Sequence, residues 1–178
     1  MKKLTSLLLI ILLLFSHIGC CADNNWYDSY SCHSGYSSDD GYWEYALNDA
    51  TGMPIYKIDS AQALADFKET MKPYFSFNAK VYASPVTYTP TFNEVTADCD
   101  DTFFADNALL VVYVVAGSGS FRYRVSSVEI SGESLTVTIE QYNDDGASTC
   151  DMSGWLAVIK VPKEKLDGIT NYCTQLNP

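Results

Sequence analysis

Apolar positions follow three successive rhythms along this chain. Leu7 to Phe15 (LLLIILLLF) is apolar without a break and follows two lysines, Lys2 and Lys3. Between Ala61 and Lys72 the spacing is helical: Leu64, Phe67 and Met71 recur at i, i+3 and i+7 as one stripe. Asp59 or Ser60 is placed to cap that helix, with Gln62 three residues after Asp59 as in a capping box, and Pro73 stops it. Around it the period is two. Ile55 to Ile58 is a short strand; Lys80 to Tyr82 and Val86 to Thr91 are strands broken by Pro85 and Pro90, as at a sheet edge. Ala108 to Val115 (ALLVVYVV) is apolar on both faces and predicts a central strand. Arg122 to Ile130 and Ser134 to Tyr142 alternate around Gly132 and predict a hairpin, and Trp155 to Val161 (WLAVIKV) is a last long strand closed by Pro162.

These elements predict a mainly β domain over residues 53–178, an antiparallel sheet or sandwich with one covering helix near 60–72; α+β is the alternative class. The segment before it, 21–52, is rich in Ser, Asp, Asn and Gly and has no sustained apolar period, which predicts a tether. Its aromatic residues, Trp26, Tyr27, Tyr30, Tyr36, Tyr42, Trp43 and Tyr45, suit packing onto the domain better than stacking on sugars.

The leading run changes the setting. It is shorter than the roughly 20 residues that span a bilayer, so residues 1–20 read as an export signal. Ile18-Gly19-Cys20 resembles a lipoprotein signal end, which makes Cys20 the candidate lipidation site; cleavage after Ala22 is the alternative. Export predicts an oxidising compartment and paired cysteines. Four cysteines allow three pairings, and the preferred set is Cys99 with Cys150 and Cys32 with Cys173.

Without Lys2 and Lys3, nine basic residues stand against 22 acidic ones, a balance of −13. Such a field repels nucleic acid and anionic lipid, leaving an N-terminal lipid as the expected membrane contact. Catalytic chemistry finds little support: apart from His17 in the leader, His33 is the chain's only histidine, and no acid occupies a recognisable apolar pocket. The acid runs ADCDD (97–101) and NDDG (143–146) do not follow the twelve-residue calcium loop, so no metal or cofactor is expected.

The chain's two arginines, Arg122 and Arg124, follow a glycine-containing segment, VAGSGSFRYRV (115–125). A phosphate loop would need a helix after the glycines, and here a strand follows. Gly117 and Gly119 therefore turn the chain, and alternation sends Phe121, Tyr123 and Val125 to one face and the arginines to the other. Arg122, Arg124, Gly117, Gly119 and Phe121 are the candidate partner-binding residues. The competing reading is that both arginines pair across strands with the chain's own acids, such as Glu129 or Glu140.

Read in order, LLVVYVV, GSGSFRYRV, SLTVTIEQY and WLAVIKVPK resemble the C-terminal domain of the PrcB family, accessory lipoproteins of a spirochaete surface protease complex. Gly119, Ser120 and Phe121 stand where glycine, glycine and tyrosine are typical. The resemblance, between Phe104 and Lys163, implies a lipid-anchored, non-catalytic module of the cell envelope that binds a protein or assists a protease. A secreted peptidase-inhibitor-like domain and a glycan-binding domain are the alternatives.

Overall fold

The computed structural model describes residues 26–35, 53–84, 87–142 and 153–177. Cys20, Cys150, the acid run NDDG (143–146) and the aromatics from Tyr36 to Tyr45 lie outside the described residues.

Two sheets and a layer of helices make up the domain. The first sheet has the order β1 (Asp28–His33), β8 (Ser153–Pro162), β5 (Asn107–Ala116), β2 (Ile55–Ile58), all antiparallel. The second has the order β6 (Arg122–Ser131), β7 (Ser134–Tyr142), β9 (Asn171–Asn177), with β9 parallel to β7. A small ladder joins β3 (Tyr82–Ser84) to β4 (Thr87–Tyr88). Among the described residues, three helices, α1 (Ala61–Met71), α2 (Phe92–Val95) and α3 (Phe103–Asp106), precede β5.

Strands β5 and β8 are buried on both faces, which is why their sequences read as continuous apolar runs. Leu109, Val111, Tyr113, Leu156 and Val158 face Leu64, Phe67 and Met71 of α1 and Phe92 of α2. Leu110, Val112, Val114, Trp155, Ala157 and Ile159 face Leu135, Val137 and Ile139 of β7. The result is the mainly β, sandwich-like domain that the periodicity predicts, with α1 on the outer face of the first sheet. Ser60 caps α1 by accepting a hydrogen bond from the Ala63 N–H at 3.0 Å. Gln62 instead donates to Asp66 one turn on, at 2.7 Å, so the capping box lies elsewhere. It forms at α2, where Thr91 and Glu94 exchange backbone and side-chain hydrogen bonds.

Three expectations are corrected. Residues 28–33 belong to the first sheet as edge strand β1, not to a tether, and Cys32 and His33 are buried there. Alternation explains it: Tyr30 and Cys32 pair with Val158 and Leu156 on the helical face, and His33 pairs with Trp155 on the sandwich face. Strand β8 is not the last strand; after a short 3-10 turn (Lys163–Leu166) the chain crosses to the other sheet as β9. The Cys32–Cys173 bridge is not formed: Cys32 lies in the core under the helices, whereas Cys173 is exposed on β9 of the opposite sheet.

Candidate functional site

The residues singled out around the glycine turn are brought together, but largely to hold one another. The turn is built on Ser118, whose carbonyl accepts from the Phe121 N–H at 3.2 Å and whose hydroxyl accepts from the Ser120 N–H at 3.2 Å. Arg122 folds back over it, donating from Nη1 to the carbonyls of Gly119 at 2.8 Å and Phe121 at 3.1 Å, with its guanidinium 5.4 Å from the Trp155 ring centre. Arg124 pairs with Glu140, its register partner across the hairpin, at 2.9 Å. The Arg124 hydrogen bond holds the Glu140 carboxyl below its ordinary value. Phe121 packs against the sandwich core, and Gly117 is exposed, with open space where a Cβ would stand. The cross-strand reading is therefore the one that Arg124 follows, and Arg122 serves as an internal strut.

A different concentration of chemistry lies at the other end of β8. On the helical face the alternation Leu156, Val158 continues to Lys160, so a cation is carried where the pattern calls for an apolar side chain. Its neighbours in register are Leu109 of β5 and Asp28 of β1. The side chain is only 13% exposed, and its ammonium donates to Asp98 Oδ1 at 2.6 Å. Asp98, on the α2–α3 loop, is 71% exposed. Two rings flank the ammonium, Tyr30 at 5.7 Å and Phe103 at 5.5 Å from their centres.

The electrostatics are those of a closed pair. The hydrogen bond from Lys160 is the main cause that lowers the Asp98 pKa. Burial works against the Lys160 ammonium, but the Asp98 hydrogen bond and the negative charge around it outweigh burial and raise its pKa. Cys99 donates weakly to Asp98 at 3.7 Å, and burial, above the other causes, pushes its thiol up to about 11. Burial likewise pushes Cys32 up to about 12. Thiols held this far from the thiolate are poor nucleophiles at neutral pH. His33 is equally committed: its Nδ1 accepts from the Gly35 N–H at 3.1 Å, and its ring packs edge-on to Trp155 at 5.2 Å.

Two recesses open beside Lys160, of about 320 Å³ and about 350 Å³, and share Tyr30, Asp98 and Lys160. Pro90, Glu94, Val95 and Ala97 complete the first; Trp26, Tyr27, Asp28 and Phe103 are among the walls of the second. Together they form one furrow across the β1 side of the sheet. Glu94 is fixed in its wall by the Thr91 N–H, the main cause that keeps its carboxyl below its ordinary value, and by Tyr88 and Lys80. Among the described residues no group of three or more His, Cys, Asp or Glu side chains converges as a metal site would require.

Sequence reading missed this furrow, although two signals for it were present: a lysine inside the apolar run WLAVIKV, and the spacing Thr91-Phe-Asn-Glu94 ahead of ADCDD. Comparison with protein-family models, curated proteins and solved structures gives no match to this chain.

Proposed function

We propose that this chain is an exported, lipid-anchored module of the cell envelope that binds a partner protein and does no chemistry of its own. The observation that carries the binding part is the furrow astride Lys160, where aromatic walls and a satisfied ion pair converge while the nearby thiols are held protonated. The envelope part rests on the leader and on Cys20, and the accessory role rests on the resemblance to the PrcB family. With Arg122 and Arg124 engaged internally, the contact surface moves from the glycine turn to the β1 side of the first sheet.

The test is site-specific photocrosslinking in cells that produce the full chain. A crosslinker at position 30 is expected to capture one envelope protein, and one at Ile130, exposed on the second sheet, is expected to capture none. Equal labelling from both positions, or none from either, would overturn the binding role. Replacing Cys20 by Ala is expected to abolish lipid incorporation and release the chain from membranes; unchanged membrane retention would overturn the anchor.

A second reading has one specific observation in its favour: Trp26, Tyr27 and Tyr30 line the furrow, as rings that stack on sugars would. A glycan array with the full chain separates it from the protein-binding reading.

A further inference from the structure

Resting on the protein-binding reading, we propose that the furrow docks an extended, basic segment of the partner, with lysine or arginine side chains entering the two recesses beside Lys160. Shape comes first. The recesses share Tyr30, Asp98 and Lys160, so they lie side by side, and an extended segment that sends alternate side chains downward can fill both while its backbone crosses Lys160. Among the walls are the rings of Tyr30, Phe103 and Trp26 and the carboxylates of Asp28, Glu94 and Asp98.

Charge selects the occupant. From Val81 to Phe121 the chain carries Glu94, Asp98, Asp100, Asp101 and Asp106 and no basic residue, and this stretch supplies the α2–α3 side of the furrow. The lysines around the furrow are engaged, Lys160 with Asp98, Lys80 with Glu94, Lys68 with the Thr96 hydroxyl and Lys163 with the Phe104 carbonyl, and they are fewer than the acids Asp28, Glu94, Asp98, Asp100, Asp101 and Asp106. An incoming cation therefore meets surplus carboxylate on Asp28 and on the Asp98 loop. Lys160 itself shows the chemistry: its ammonium is held between two aromatic rings and a carboxylate, the surround that a partner's lysine or arginine would take up. An acidic segment would face this rim unfavourably, and a neutral sugar would leave the surplus charge unanswered.

Fluorescein-labelled hexalysine and hexaglutamate, with unlabelled maltohexaose as competitor, provide the probes, read by anisotropy with the full chain in detergent at about 0.1 M salt. Hexalysine is expected to bind, and Tyr30→Ser and Asp28→Asn are each expected to weaken it about tenfold, a loss that Tyr30→Phe avoids. Asp59→Asn, just after β2 at the opposite edge of the sheet, and Glu133→Gln, at the β6–β7 turn, are exposed and line neither recess. They remove comparable charge and are expected to change binding by less than about twofold. Equal weakening by all four charge and ring variants means general attraction to an acidic protein and overturns the proposal. So does displacement of hexalysine by maltohexaose, which assigns the furrow to carbohydrate. Specific crosslinking from position 30 that survives Asp28→Asn undiminished would sink this inference alone and leave the protein-binding role standing.

Discussion

Lys160 and Asp98 set the residue-scale behaviour of the furrow, and the sign of their pH dependence follows from their shifts. Asp98 is held below its ordinary 3.8, so its contribution is present above that value and fades as pH falls through the lowered one. Lys160 is held above its ordinary 10.5, so its contribution is complete below that value and fades as pH rises through the raised one. The pair therefore acts across the neutral range. Because Asp98 is mostly exposed, solvent screening limits the effect, and Asp98→Asn is expected to cost under about 1 kcal/mol at neutral pH. Urea unfolding at neutral and strongly acidic pH checks this: the gap between native and variant should close in acid. The thiols give a second prediction. Cys32, raised from 9.0 to about 12, should carry about a thousandfold less thiolate than an ordinary thiol near neutral pH. In the folded chain, iodoacetamide should modify exposed Cys173 well before Cys32 or Cys99, as peptide mass spectrometry would reveal. Rapid labelling of Cys32 would mean that β1 leaves the sheet.

That strand is the feature of most consequence at the scale of elements. Composition marks residues 28–33 as tether, yet its even positions pair with Val158 and Leu156 beneath the helices, and His33 packs on Trp155. The strand is closed off by Gly35, whose φ of +90° and whose position 2.9 Å from Ser76 Cβ, measured from where a Cβ would stand, favour glycine there. Starting the chain at residue 36 is thus expected to destabilise the domain by about 3 kcal/mol or more, because it uncovers one side of β8. A thermal melt unchanged from that of the full chain would return the segment to the status of a tether. Local signals fared unevenly among the elements. Helix α1 and the β6–β7 hairpin were legible because an apolar stripe and a tight turn are written in neighbouring residues; Gly132, at φ +59°, occupies the first turn position that such hairpins reserve for glycine. Strand β9 was not, since its apolar content is sparse and its pairing with β7 is parallel and distant in sequence.

At the scale of the whole molecule, β5 and β8 form a shared wall between two apolar layers, one with the helices and one with the second sheet. Truncation on either side should weaken a single cooperative unit. Leu64→Ala on α1 and Leu135→Ala on β7 are each expected to cost about 2–5 kcal/mol, and the double variant their total to within about 0.5 kcal/mol, in one calorimetric transition. Two transitions would mean that the layers unfold separately. The two halves of this architecture also mark what was readable in advance. Strands β2, β5, β6, β7 and β8, the covering helix α1, and the burial of ALLVVYVV on both faces follow from the sequence alone, because periodicity is a property of consecutive residues. The strut role of Arg122, the choice of Glu140 as the partner of Arg124, the place of β1 and the furrow did not follow. Each depends on side chains far apart in the chain, Lys160 with Asp98 and Tyr30, or Arg124 with Glu140, and only the register of the folded sheets brings such groups within reach.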